Sequence, residues 1–314
     1  MTIDRTFLAL VAALILFLAG SLLMPNWLMF LLTVAFAKGL VVLGLLLLMR
    51  TGLVSFGQGL YYGLGAYAAA MLGAVFGVPD VALMLIASVV VPTLVALALG
   101  LLMANYRHIF FAMLSLAFSM VLYGLLVNST VLGSTDGFNV ASKTIGGFRP
   151  PSQGAEFHAY FVLALCFAFL AAWGMHRYLA SHLGRLSMAV RDNELRVEYL
   201  GASVRRTVYL NYIISSALAG LGGGITALAV GHIDPDSAYW ATSGEFVFVT
   251  ILSGGGSVMA PFLGSIVFEA IRSFATQYFP NVWQATLGVA MLAIIMFLPG
   301  GLWTVFQRRG EGAS

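Results

Sequence analysis

Long apolar stretches recur along the whole chain and are separated by short polar segments. A bilayer core about 30 Å thick is crossed by about 20 mostly apolar residues in a helix, and these stretches have that length. They lack the alternation of a barrel strand, and unpaired backbone groups in lipid are costly, so we expect every span to be helical. The pattern predicts ten spans, near residues 7–24, 28–49, 60–77, 81–103, 109–127, 159–180, 207–230, 243–257, 260–279 and 284–303.

The composition agrees with a membrane protein. Of the 314 residues, 61% are hydrophobic and 9% are charged, which is about a third of the charge of an ordinary soluble domain. We therefore predict a single all-α integral membrane domain over residues 1–314, a polytopic bundle of about ten transmembrane helices. Only Arg5 precedes the first span and no small-residue cleavage site follows it, so we expect this helix to be retained.

The distribution of Lys and Arg predicts the orientation, because cytoplasmic loops carry the excess of these residues. If residues 182–206 lie inside and the spans alternate, 11 of the 15 basic residues are cytoplasmic. Lys143 and Arg149 then lie outside, whereas Lys38 and Arg272 lie within spans. Both termini are expected in the cytoplasm, and the net charge of +3 reflects topology and does not indicate nucleic-acid binding. The cytoplasmic residues are Arg5, Arg50, Arg107, Arg177, Arg185, Arg191, Arg196, Arg205, Arg206, Arg308 and Arg309.

Two polar segments are long enough to have functions of their own. The outer one, residues 128–158, is rich in Gly, Ser, Thr and Pro and predicts an irregular loop with turns. The inner one, residues 181–206, predicts a short amphipathic helix that projects into the cytoplasm and ends near Gly201. Its apolar face is formed by Leu186, Val190, Val197 and Leu200.

This helix could lie on lipid headgroups or bind a protein partner. Asp192, Glu194 and Glu198 stand among its arginines, and this mixture of charges weakens attraction to an anionic leaflet. The pattern therefore favours a protein partner.

The chain carries no recognisable catalytic, metal or cofactor site. The glycine-rich run at residues 221–226 lacks the lysine of a phosphate-binding loop, and no His, Cys and Asp cluster or activated nucleophile is evident. Energy for any transport must then come from a partner.

The run GLVSFGQGLYYGLGAYAAAML, residues 52–72, interrupts apolar sequence with glycines and polar residues. Broken backbone at membrane depth is tolerated where protein or water satisfies it, as in transporter substrate sites. We therefore assign Ser55, Gln58 and Tyr61 to a substrate path, while the glycines after Tyr61 also suit close helix packing. A second glycine cluster, at residues 252–261, is interpreted as a turn between two helices.

Four ionisable residues lie inside predicted spans, where burying a charge is costly. Glu269 and Arg272 stand three residues apart and are expected to pair with each other. Lys38 has no neighbour of opposite charge in sequence, so its partner must be another helix, Glu245 or a substrate carboxylate. We assign Lys38 and Glu245 to the substrate path.

Several segments carry a resemblance to one family. The runs at residues 52–72 and 182–228 resemble signature segments of LivM-type permease subunits of branched-chain amino-acid ABC importers. Further similar pieces follow in the same order over nearly the whole chain: GSTDGF at 133–138, HIDPDSAYW at 232–240, ILSGGGSVMAPFLGSIV at 251–267 and LPGGLW at 298–303.

The resemblance implies a non-catalytic permease in the bacterial inner membrane, in which the inner segment holds a coupling helix for an ATP-binding subunit. The implied partners are a homologous LivH-type permease in a heterodimer, two ATP-binding subunits that bind ATP and Mg, a periplasmic solute-binding protein and membrane lipids. The coupling residues would be Arg191, Asp192, Glu194, Leu195, Glu198 and Gly201. We expect the outer segments to contact the binding protein through Thr135, Asp136, Gly137, Asp234 and Asp236.

The predicted function is the import of branched-chain amino acids or related small amides and carboxylates, driven by ATP hydrolysis in partner subunits. An ion-coupled secondary transporter is the alternative, and would show inverted repeats with intramembrane carboxylates at matching positions. Only a faint similarity between residues 63–73 and 220–231 points that way. A passive channel would need a narrow pore and no large docking helix.

Overall fold

A computed structural model describes residues 5–140, 144, 152–298 and 300–304. Among these residues the fold is almost entirely helical, with three short 3-10 helices and one two-stranded sheet, as the apolar pattern predicted. The helices are α1 (Arg5–Ser21), α2 (Asn26–Arg50), α3 (Gln58–Ala74), α4 (Val81–Met103), α5 (His108–Asn128), α6 (Gln153–Ala180), α7 (His182–Asp192), α8 (Glu194–Tyr199), α9 (Val204–Val230), α10 (Trp240–Ser253), α11 (Ala260–Tyr278) and α12 (Trp283–Phe297), and the strands are β1 (Phe138–Asn139) and β2 (His232–Ile233).

Each of the ten predicted spans overlaps one helix, and α7 and α8 occupy the predicted inner segment. Within the described residues, α2, α4, α5, α6 and α9 are long and apolar enough to cross a membrane by length and composition. The most apolar window of α2 is 94% buried, against 33% for α4 and 22% for α5. Helix α2 is therefore central, whereas α4 and α5 turn apolar side chains outward, as lipid contact requires.

Helix α9 packs against α2, α3 and α4 through glycines that bring the backbones into contact. A Cβ atom on Gly223 would overlap the carbonyl oxygen of Tyr62 in α3, and one on Gly65 would overlap that of Gly220. Small residues at such crossings increase the packing contact between membrane helices. The glycines after Tyr61 thus serve close packing, the second of the two roles considered for them.

The bundle has two distinguishable ends. Helix α9 begins next to α7 and α8 and ends at Gly231, whose φ of +78° closes the helix directly before β2. We call the end with α7 and α8 the inner end, after its predicted orientation, and the end with the sheet the outer end. Lys143, Arg149, Arg308, Arg309 and the residues at both termini lie outside the described residues, so the sidedness stays a prediction.

Each glycine-rich run contains a connection between two helices. Residues 51–57 form a mostly buried, non-helical connection from α2 to α3, and residues 254–259 form the predicted turn between α10 and α11. Gly254 has a φ of +79°, in the left-handed region where glycine is favoured.

Candidate functional site

Two opposite charges meet in the middle of the bundle. Lys38 lies midway along α2, and its Nζ is 2.5 Å from Oε1 of Glu269, midway along α11. The two side chains are only 10% and 11% exposed. The lysine partner therefore comes from another helix, one of the three possibilities that the sequence left open.

A second, more open pair lies next to the first. Nη1 of Arg272 is 3.3 Å from Oε2 of Glu245 on α10, and these side chains are 34% and 25% exposed. The same carboxylate oxygen is 4.0 Å from Nζ of Lys38, so the four charges form one chain across α2, α10 and α11. The guanidinium of Arg272 also lies 5.4 Å from the ring of Trp283. We call Lys38, Glu245, Glu269 and Arg272 the charge cluster.

The predicted pairing of Glu269 with Arg272 is wrong. Both residues lie on α11, but Glu269 bonds Lys38 and Arg272 bonds Glu245. A local pair would leave the ammonium of Lys38 buried without its closest partner, and an unmatched buried charge costs far more than a local helix pair gains. Interhelical pairing satisfies all four groups.

A narrow cleft lies beside the charge cluster, and in this conformation it has no room for a water molecule. Its walls combine charged, polar and apolar groups. The hydroxyl of Ser265 is buried there and has no hydrogen-bond partner among the described residues, an arrangement that costs about 1–3 kcal/mol. The residues that line the cleft are Lys38, Val42, Glu245, Phe246, Val249, Ser265 and Phe268.

The other predicted path residues make separate hydrogen bonds, two of them between α3 and α9. Nε2 of Gln58 donates to the hydroxyl of Ser215 at 2.8 Å, and the hydroxyls of Tyr61 and Tyr212 are 2.7 Å apart. Ser55 accepts a hydrogen bond from a backbone N–H in the connection to α3. None of the three lines the cleft. The structure thus groups Lys38 with Glu245 and separates both from Ser55, Gln58 and Tyr61.

The inner segment forms two helices instead of the single predicted one. Asn193 has extended backbone and caps α8 by accepting from the N–H of Arg196, so the chain changes direction between α7 and α8. Of the four residues of the predicted apolar face, Val190 and Val197 are buried and Leu186 is half-buried. Leu200, at the C-cap of α8, is exposed.

Helix α8 exposes an apolar surface at the inner end. Leu195, Tyr199 and Leu200 are between 66% and 89% exposed. Arg191, Asp192, Glu198 and Gly201 are also exposed. We call Leu195, Tyr199 and Leu200 the inner apolar patch.

Side-chain hydrogen bonds help to hold α7 and α8 against the transmembrane helices. Nε of Arg107, between α4 and α5, bonds both carboxylate oxygens of Glu194 at 2.9 and 3.0 Å. Asn211 of α9 donates to Ser187 of α7 at 2.8 Å and accepts from the hydroxyl of Tyr178 of α6 at 2.6 Å. Glu194 therefore has an internal partner, and sequence analysis missed Asn211 because a single Asn in an apolar run does not reveal its neighbours.

At the outer end, the two segments predicted to contact a binding protein lie side by side. β1 pairs antiparallel with β2, with Phe138 opposite Ile233. Gly137, with a φ of +63°, packs directly against the backbone at Ile233, where a Cβ atom would overlap. The side chains of Thr135, Asp136, Asp234 and Asp236 are exposed here.

Comparisons with known proteins identify one family. The family model described as the permease component of the branched-chain amino acid transport system matches residues 27–298. The permease LivM of Escherichia coli is 28% identical over 273 residues, covering 80% of this chain and 64% of that protein. The permease BraD of Pseudomonas aeruginosa is 24% identical over 80% of this chain and 86% of its own length. The permease LivH of Salmonella typhimurium is 21% identical over 55% of this chain and 51% of its own length.

The chain thus spans about two thirds of the length of LivM. No solved structure matches it. The matched region contains the charge cluster, the inner apolar patch and both strands.

Proposed function

The chain belongs to the family of permease components of branched-chain amino acid transport systems, and on this premise we propose that it is a permease subunit of an ABC importer. It would form part of the path for branched-chain amino acids or related small amides and carboxylates. It would work as a multi-pass protein of the bacterial inner membrane, with both termini in the cytoplasm, beside a LivH-type permease, two ATP-binding subunits and a solute-binding protein. The inner apolar patch is the observation that carries this proposal.

This patch is suited to a protein partner. Leu195, Tyr199 and Leu200 expose large apolar side chains on α8 and its C-cap at the inner end. The buried core of a protein interface is apolar, and Tyr is enriched among its anchors. The patch is held by the bond from Arg107 to Glu194. A partner that pushes on α8 would therefore move the α4–α5 connection with it.

Within the coupling segment, the proposed roles differ from residue to residue. Leu195 would enter the groove of the ATP-binding subunit, while Arg191, Asp192 and Glu198 would lie at the rim and Gly201 would end the segment. Glu194 would hold α8 in place from within the chain. ATP and Mg would be bound by the partner, and the permease would perform no covalent chemistry.

Coupling is tested by replacing two residues of the inner apolar patch, whose exposed side chains do not pack in the helix bundle. In the variant Leu195→Ser with Tyr199→Ser, we expect the ATP-binding subunits to be lost from the purified complex and ATP-driven leucine uptake to fall at least tenfold. Val131→Ser is the matched control, because Val131 is an equally exposed apolar side chain at the outer end. Unchanged assembly and uptake in the double variant would refute the assignment. Leucine uptake by the chain without ATP-binding subunits, driven by an ion gradient, would favour a secondary transporter.

The outer end would receive the solute-binding protein. Asp136, Asp234 and Asp236 give this surface three exposed carboxylates next to one another in the fold, which suits a partner with basic residues at its rim. Thr135 would add a hydroxyl contact, and Gly137 would keep the two segments together.

The contact can be tested by cross-linking. Cys166 is exposed and is first replaced by Ala, after which a single cysteine is placed at Asp136 or Asp234. We expect cross-links to the solute-binding protein that increase when leucine is bound to it. A cysteine at Glu198, at the inner end, is the control. Equal cross-linking at both ends, or none at the outer end, would contradict the proposal.

A further inference from the structure

The charge cluster is electrically balanced and graded in exposure. It contains two cations and two anions from three helices. The Lys38–Glu269 pair at mid-bundle is short and almost buried, whereas the Glu245–Arg272 pair is longer and two to three times more exposed. A ligand can therefore separate the Glu245–Arg272 pair at a smaller cost in free energy than the Lys38–Glu269 pair.

Arg272 and Glu245 both have hydrogen-bonding groups that their mutual bond does not use. The guanidinium of Arg272 makes one hydrogen bond to a described residue, although it carries five N–H donors in an arrangement that matches a carboxylate. The corresponding bond uses only one oxygen of Glu245. A ligand carboxylate could bind Arg272 while a ligand ammonium binds Glu245.

Such a ligand must be neutral overall. A zwitterion that inserts between Arg272 and Glu245 leaves every charge matched, whereas a lone anion or cation leaves one of the pair unmatched at low dielectric. The cluster thus selects the head group of an α-amino acid over a simple carboxylate or an amine.

The cleft supplies a place for the rest of the molecule. Val42, Phe246 and Val249 form apolar walls beside the charges, and these suit a short branched aliphatic side chain. On the same cleft, Ser265 adds a buried hydroxyl that has no partner in the part of the chain that the structure describes. A ligand oxygen or ammonium would supply the hydrogen-bond partner that this hydroxyl lacks.

We propose that Glu245, Arg272 and Ser265 form a binding site for the zwitterionic head of an aliphatic α-amino acid, with its side chain against Val42 and Val249. This inference rests on the proposed transport function and adds to it the place and the contacts of the substrate head group. The cleft is closed in this structure, so binding requires α10 to move away from α11.

The test is direct binding of tritiated leucine to the purified importer in nanodiscs without its solute-binding protein. We expect Ser265→Ala to weaken binding about five- to tenfold, as loss of one hydrogen bond does. Its melting temperature should be unchanged or higher, because this hydroxyl makes no hydrogen bond to a described residue and its burial is a cost in the ligand-free protein. We expect Glu245→Gln to weaken binding at least tenfold. Unlabelled leucine should compete, whereas leucinamide and 4-methylpentanoate should compete at least tenfold less well.

Ser253→Ala is the matched control. Ser253 is a buried serine of α10, but its hydroxyl already bonds the carbonyl oxygen of Thr250 and it does not line the cleft. Wild-type binding by Ser265→Ala and Glu245→Gln would overturn the site. Equal competition by leucine, leucinamide and 4-methylpentanoate would overturn the proposed selectivity for a zwitterionic head group. The binding assay needs no ATP, so these results would count against the site alone. The proposed function would fail by a different result, namely the absence of ATP-driven uptake by the wild-type importer.

Discussion

Replacing Lys38 by Met is the sharpest perturbation of the charge cluster. Met keeps the length of the side chain and removes the ammonium that lies 2.5 Å from Glu269. With only about a tenth of each side chain exposed, the carboxylate of Glu269 would stay buried without its closest cation. Removing one partner of a buried pair costs about 3–5 kcal/mol, whereas removing both is close to neutral.

In the wild-type protein, the ammonium of Lys38 cannot reach water at either end of α2. Lys38 lies 12 residues from either end of α2, which is about 18 Å at 1.5 Å per residue. A lysine side chain is far shorter than that. Its charge is therefore satisfied inside the bundle or not at all.

We therefore expect Lys38→Met to lower the free energy of unfolding by about 3–5 kcal/mol, measured by titrating the purified protein in detergent micelles with SDS. Adding Glu269→Gln should recover most of this loss. Adding Glu245→Gln should recover much less, because that carboxylate is 4.0 Å from the ammonium and retains Arg272. Full recovery by Glu245→Gln, or no loss in the single variant, would refute the assigned pairing.

Two further predictions concern packing and the inner end. Gly223→Ala should lower the free energy of unfolding by about 1–3 kcal/mol because its methyl group overlaps the backbone of Tyr62, whereas Gly124→Ala, with open space around it, should be neutral or stabilising by up to about 1 kcal/mol. Equal melting temperatures for the two variants would contradict the close packing of α9. Asn211→Ala should leave the importer assembled but lower leucine transported per ATP hydrolysed, because α7 loses its bond through Ser187; an unchanged ratio would contradict this role.

The helices could be predicted from sequence because length and hydropathy are local properties. The span predicted at 81–103 coincides with α4, where Asp80 caps the helix through the N–H of Ala82. The first span was placed at 7–24 but α1 covers Arg5–Ser21. Apolar residues continue past the end of that helix, so hydropathy alone does not mark where the backbone turns.

The pairing of the charges could not be predicted in the same way. Sequence spacing favoured Glu269 with Arg272, because it reports only neighbours along one helix. The observed partners are 231 residues apart for Lys38 and Glu269, and 27 apart for Glu245 and Arg272. The cost of intramembrane charge did identify these residues as worth explaining, but the choice among partners depended on how α2, α10 and α11 pack.

The same packing indicates which part of the bundle is free to move. Glycines bring α9 into backbone contact with α2, α3 and α4, and interdigitated backbones resist sliding because every overlap must be relieved at once. Helix α10 is only 14 residues long and reaches α11 through a glycine turn. Opening of the cleft is therefore expected to occur by displacement of α10 away from α2 and α11, which separates Glu245 from Lys38 before it disturbs the Lys38–Glu269 pair at mid-bundle.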